Sequence, residues 1–161
     1  MPRLDAERID LWRQFCLISA RVQRLIDREL TEQHDLPLGW YDVLTAIRDG
    51  GGSIRVRELS LALDENPSSL SRRLDRMEDD ELITRRRAPR ADDRRAVEVV
   101  LTEEGRFTWR DANITYRRLV QQHFASSLTD TDIAALHRLW TKLARSTPAQ
   151  PEPVDPLDWL R

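Results

Sequence analysis

Between Val56 and Leu101 the hydrophobic period changes once, and that change limits the fold more than any other feature of the chain. Up to Glu81 the spacing is helical. Val56 to Leu63 predicts a short helix offering Val56, Leu59, Leu61 and Leu63 to a core, and Asp64-Glu65-Asn66 makes a tight connection. A second helix then starts with Asn66 as N-cap and Pro67 at the first helical position. Its Leu70, Leu74 and Met77 follow an i, i+4, i+7 stripe, with Ser69, Arg72, Arg73 and Arg76 around the rest. After Glu81 the period drops to two. Leu82-Ile83-Thr84-Arg85-Arg86-Arg87 and Ala96-Val97-Glu98-Val99-Val100-Leu101 predict a β-hairpin whose loop runs from Ala88 to Arg95, with Val97, Val99 and Leu101 sharing an inner face. Two short helices, the second polar and basic in its N-terminal half, are the outline of a helix-turn-helix.

Helical patterning flanks this unit on both sides. Ile9, Trp12, Phe15/Cys16, Ser19/Ala20, Gln23, Ile26 and Leu30 keep a helical period from about Ala6 to Gln33. Pro37 and Gly39 precede a helix over Trp40 to Arg48, and Gly50-Gly51-Gly52 reads as a turn, since neither a preceding strand nor a following Lys-Ser/Thr pair makes it a phosphate loop. Thr102 caps a further helix, with Glu103 and Glu104 in its first turn. Thr129 and Asp132 have capping-box spacing at the start of a last helix, with Leu128 and Ile133 placed as a staple, and that helix ends before Pro148. The tail from Thr147 to Arg161 holds four of the eight prolines and is expected to be extended or disordered. The fold class is therefore mainly α with a small β-hairpin.

Composition matters chiefly for what it excludes. No apolar run is long enough to span a bilayer and the N-terminus lacks the apolar stretch of a secretory signal, so no membrane association and a cytoplasmic location are expected. Cys16 is the single cysteine and stands on the apolar stripe of the first helix, where a thiol packs as a small hydrophobe. Neither a nucleophile elbow, a phosphate loop nor a His or Cys metal spacing is present, so neither catalysis nor a metal or cofactor is expected. His34, His123 and His137 are scattered, lack close carboxylate partners at ligand spacing, and read as surface or helix-end residues. The net charge of −2 hides an asymmetry: Arg85 to Arg95 holds six arginines against two aspartates, and Lys142 is the only lysine. Arginine forks onto phosphate or guanine and enters minor grooves, although a GC-rich genome also enriches it.

The stretch from Leu36 to Gly105 resembles the core of the multiple-antibiotic-resistance regulator (MarR) family. Four motifs match in order. Arg57-Glu58-Leu59-Ser60-Leu61-Ala62-Leu63 is similar to the first helix of that family's helix-turn-helix, and Asn66-Pro67-Ser68-Ser69-Leu70-Ser71-Arg72-Arg73-Leu74-Asp75-Arg76-Met77-Glu78 to its recognition helix. Leu82-Ile83-Thr84-Arg85 resembles the strand entering the wing, and Asp93-Arg94-Arg95 through Gly105 the wing's Asp-x-Arg motif and the next helix start. The likeness extends over roughly residues 6–146.

The resemblance implies a winged helix-turn-helix in residues 36–102, a helical dimerisation region in 1–35 and 103–146, and a Pro-rich tail in 147–161. It implies a homodimer on a palindromic double-stranded DNA operator, acting as a transcriptional regulator, a repressor in the first instance, released by a small aromatic or anionic effector. Ser68, Ser69, Ser71 and Arg72 would lie nearest bases or phosphates, Arg76 on the backbone, Arg86 and Arg87 on phosphates, and Arg95 in the minor groove, braced by Asp93. Trp12, Phe15, Trp40, Tyr41, Asp42, Arg85 and Trp109 are the candidate borders of an effector pocket. Asp42 and Arg85 match two positions of the family's urate-responsive branch, whose tryptophan and histidine partners are not matched. Alternatives from other classes are a redox sensor acting through Cys16 and a winged-helix protein-interaction module without DNA binding.

Overall fold

The structure, a computed structural model, describes residues 5–87 and 97–146. The elements run α1 (Ala6–His34), α2 (Leu38–Asp49), β1 (Ser53–Arg55), α3 (Val56–Ala62), α4 (Pro67–Asp79), β2 (Ile83–Arg87), β3 (Val97–Leu101), α5 (Glu103–His123) and α6 (Asp130–Ser146), with a 3₁₀ turn at Ala125–Ser127. The helix-turn-helix is α3–α4, and β2–β3 is the hairpin of the wing.

Local chemistry sets the boundaries. Asn66 caps α4 by accepting from the Ser68 N–H at 2.9 Å, and Pro67 occupies its first turn, as the sequence predicts. Thr102 Oγ1 accepts from the Gly105 N–H at 2.9 Å and so starts α5. Thr129 and Asp132 exchange capping bonds, the Thr129 N–H reaching Asp132 Oδ2 at 2.9 Å and the Asp132 N–H reaching Thr129 Oγ1 at 3.3 Å. Gly51 and Gly52 have φ of 82° and 95°, a left-handed backbone that glycine adopts without a Cβ clash, and this confirms the turn. By contrast α2 begins at Leu38, two residues before the expected start. The reason is tertiary: the Leu38 N–H donates to Asp27 Oδ1 on α1 at 2.8 Å, which satisfies a helix-end donor that the local sequence leaves open.

The sheet and two expected core positions also need correction. The sheet has three strands, in the order β1-β3-β2 and antiparallel throughout, where the sequence predicts a two-stranded hairpin. β1 pairs Ser53 with Val100 and Arg55 with Glu98, a strand of three residues with no alternation to reveal it. Leu61, counted for the core, is exposed, because it lies two positions from Leu59 and so on the opposite side of a helical turn. Val97 is also exposed at the outer end of β3, while Val99 and Leu101 of the same face are buried.

The core lies under the winged unit. Leu30 and Leu36, Leu44 and Ile47 of α2, Leu59 of α3, Leu70, Leu74 and Met77 of α4, Ile83 of β2 and Val99 of β3 are all fully buried. Each contributes about 1.5–3 kcal/mol of burial. The N-terminal half of α1 and all of α6 contribute no buried residue. Their Leu11, Trp12, Phe15, Ile18, Ile133, Leu139, Trp140 and Leu143 stay exposed, with the Phe15 ring edge-on to Trp140 at 5.4 Å. Cys16, expected to pack in the core, is exposed on the same stretch of α1.

Candidate nucleic-acid interface

The stripe Leu70, Leu74 and Met77 turns one side of α4 into the core and leaves the opposite side to solvent. Ser68, Ser69, Ser71, Arg72 and Arg76 are all exposed. Arg72 and Arg76 make no ion pair among the described residues. Trp40, Ser69, Arg72, Arg73 and Arg76 border a shallow groove of about 280 Å³ beside this surface. A capped helix N-terminus with hydroxyls, followed by unpaired arginines, presents donors and positive charge to a polyanion.

The wing is tied to α4 by a residue with another expected role. Arg85 Nη2 lies 2.7 Å from Asp75 Oδ1, its Nε 3.7 Å from Glu78 Oε2, and its backbone N–H donates to Glu78 Oε1 at 2.8 Å. The guanidinium therefore also neutralises two carboxylates carried by α4. Arg86 stands opposite Glu98 across the β2–β3 register, with Nε 3.3 Å from Glu98 Oε2, and its side chain stays half-exposed. Arg87 is exposed at the end of β2 and has no ion pair among the described residues. Asp93 and Arg95 lie outside the described residues.

Among the described residues the seven pocket candidates are spread over several separate surroundings. Trp12 and Phe15 lie on the exposed half of α1, and Arg85 is held in the ion pairs just described. Tyr41 is buried between α2 and α5, stacked on Tyr116 at 4.5 Å and donating to Asn113 Oδ1 at 2.8 Å. Burial pushes its phenol up to about 12. Trp109 donates through Nε1 to Thr45 Oγ1 at 2.9 Å, under the Arg48 guanidinium at 4.2 Å from the ring centre. Trp40 borders the groove at α4. Asp42 borders a separate groove of about 420 Å³ with Ala20, Gln23, Arg24, Asp27, Leu38 and Gly39. Desolvation raises its carboxyl above the ordinary range, Arg73 pulls it back down, and Glu65 pushes it further up.

Sequence reasoning missed one polar cluster. His34 Nδ1 lies 3.1 Å from Asp111 Oδ2 and Nε2 2.8 Å from Thr115 Oγ1, at a cleft of about 540 Å³ between the end of α1 and the start of α5. His34 closes the last turn of α1, a helix-end residue as the sequence predicts, and its carboxylate partner comes from α5 rather than from a nearby position in the sequence. No signal at that separation in sequence marks the pairing. Among the described residues no group of three or more His, Cys, Asp or Glu is placed to hold a metal ion, and no helix is long and apolar enough to cross a membrane.

A sequence model of the MarR family matches residues 34–96, which span α2 to the wing. The HTH-type transcriptional repressor MdtR of Bacillus subtilis (strain 168) is 27% identical over 95 residues. That match spans 59% of this chain and 59% of the relative, less than two thirds of its length. The crystal structure of a MarR family transcriptional regulator from Streptomyces coelicolor in complex with DNA superposes with a TM-score of 0.84 at 24% identity, covering 99% of this chain and 100% of that one. A mutant MarR from E. coli complexed with operator DNA superposes with a TM-score of 0.74 at 27% identity, covering 87% and 99%.

Proposed function

We propose that the chain, whose residues 34–96 match the sequence model of the MarR family, is a sequence-specific double-stranded DNA-binding transcriptional regulator, in the first instance a repressor. The observation that carries this reading is the exposed face of α4. Its hydroxyls and unpaired arginines are set opposite a fully buried stripe, beside a strand ending in Arg86 and Arg87. The described parts of 1–35 and 103–146 supply the dimer contact through the apolar faces of α1 and α6, which a lone chain leaves in water. Two copies place two α4 helices on a palindrome. Ser68, Ser69, Ser71 and Arg72 read or approach bases, Arg76, Arg86 and Arg87 take phosphates, and Arg95 with Asp93 forms the minor-groove contact of the wing. Release by a small aromatic or anionic effector follows from the family resemblance, and the α1–α2 groove bordered by Arg24 and Asp42 offers the space.

The test is selection of duplexes from a random-sequence pool, followed by titration of the selected palindrome. Arg72→Ala weakens binding by roughly 1–3 kcal/mol and relaxes preference within the half-site. Arg87→Ala weakens all sequences alike and lowers the salt slope by about one. If the chain enriches no sequence, the reading fails.

A further inference from the structure

Consecutive arginines on α4 are held in opposite ways. Arg72 and Arg76 face solvent, whereas Arg73 is turned back onto the protein with its side chain 23% exposed. Its Nη2 lies 2.6 Å from Glu65 Oε1, and its Nη1 donates to the Gly39 carbonyl at 3.3 Å. The guanidinium thereby joins three elements: the recognition helix, the α3–α4 connection and the first turn of α2. Gly39 leaves room for this approach: a Cβ there would stand 3.3 Å from Arg73 Cζ, and the guanidinium would have to shift by a few tenths of an ångström. Glu65 is itself fixed in place, its carbonyl accepting from Ser60 Oγ at 2.7 Å and its N–H donating to the Ser60 carbonyl at 3.0 Å. The second carboxylate oxygen, Oε2, is buried without a hydrogen-bond partner, so Arg73 is the main compensation for that charge. Asp42, one turn along α2 from Gly39, adds a second carboxylate to the field on Arg73.

We propose that Arg73 is a positioning residue for DNA reading, which touches no DNA and sets the rotation of α4 through Glu65 and Gly39. Successive residues on a helix point about 100° apart, so anchoring Arg73 on the flank of α4 fixes where Arg72 points. A guanidinium forked between a carboxylate and a carbonyl resists rotation in a way that apolar packing of leucines alone does not. The inference rests on the DNA-binding reading above.

Glu65→Gln separates positioning from plain electrostatics by sign. Deleting a carboxylate near a polyanion and freeing an arginine strengthens DNA binding if only charge matters. If Arg73 positions α4, the same isosteric change weakens binding to the palindrome selected by the wild-type chain. The expected loss is roughly tenfold, with binding to a scrambled duplex unchanged or tighter. Fluorescence anisotropy over a salt series is measured for the wild type, Glu65→Gln, Arg73→Met and the double variant, with circular dichroism to confirm folding. The expected result is that Arg73→Met also loses affinity for the palindrome at an unchanged salt slope, and that the double variant is no weaker than the worse single one. Should Arg73→Met fail to fold, Glu65→Gln carries the test alone. Tighter binding by Glu65→Gln, or a salt slope lower by about one in Arg73→Met, overturns the proposal and leaves DNA reading intact. A wild-type chain that selects no sequence overturns both.

Discussion

Gly105→Ala sets helix propensity against tertiary contact at the junction of wing and body. Gly105 lies in the first turn of α5, and alanine outranks glycine in a helix by about 1 kcal/mol, so propensity alone predicts a stabilised protein. The surroundings reverse the sign. A Cβ at this position would lie 2.0 Å from the Leu82 carbonyl oxygen and 2.9 Å from its carbon, both backbone atoms that no rotamer change can move. To restore ordinary contact, α5 must draw away from the α4–β2 turn by more than 1 Å. Thr102 then loses the carbonyls of Glu81 and Leu82, to which its hydroxyl is bonded at 2.7 and 2.9 Å. Overpacking costs about 1–3 kcal/mol and a lost hydrogen bond about 1 more, against the propensity gain of about 1. The net loss is about 1–3 kcal/mol. For a chain of this size that lowers Tm by roughly 2–12 °C in a thermal melt followed by circular dichroism. A variant melting at or above the wild type would refute the reasoning.

Asp42→Asn is expected to stabilise the fold near neutral pH. The raised carboxyl of Asp42 contributes stability that is complete below its ordinary value of 3.8 and is lost as pH rises through the raised value. The melting-temperature gain of the variant therefore shrinks toward acid, and a gain independent of pH would count against the assignment. Leu74→Ala, at a fully buried site of α4, costs about 2–5 kcal/mol in urea unfolding, and a smaller loss would mean that α4 is not seated as described. Trp12→Glu places a charge on the exposed apolar face of α1 and is expected to yield a monomer by light scattering at micromolar concentration. An intact dimer would locate the interface elsewhere. Cys16→Ser is expected to leave DNA binding unchanged with and without peroxide, whereas loss of a peroxide response in this variant alone would make the exposed thiol a sensor.

Most of the fold was legible because its signals are local. The Asn66-Pro67 start, the Thr102 and Thr129 caps, the glycine turn and the Leu70-Leu74-Met77 stripe each depend on residues within two turns of one another. β1 was not legible. Three residues give no alternation, and what makes them a strand is the open edge of β3, reached across some forty positions of sequence. The start of α2 was misplaced for a related reason, since Asp27 supplies its first donor's partner from another helix. Leu61 shows the converse error, an apolar residue counted by type when its angular position on α3 points outward.

The candidate site divides along the same line. Exposure of Ser69, Arg72 and Arg76 follows from the buried stripe of their own helix, so the sequence sufficed to place them. The other arginines are sorted by partners that no helical spacing announces: Arg73 by Glu65, eight positions before it, Arg85 by Asp75, ten before it, and Arg86 by Glu98, twelve after it. These pairings bear on how a chain of net charge −2 approaches a polyanion. Asp75 and Glu78 sit on α4 itself, and unpaired they would repel a phosphate that the proposed contacts Arg72 and Arg76 would attract. Arg85, reaching back from β2, cancels much of that repulsion while fastening the wing to the helix. The same side chain thus sets both the local field and the angle between α4 and the β2–β3 hairpin, the two elements proposed to read DNA. Replacing it with methionine, which keeps much of the stem, should raise the repulsion and loosen the wing together, so affinity should fall further than the loss of one phosphate contact explains. A salt slope lowered by one, with sequence preference intact, would instead mean that Arg85 acts on DNA directly.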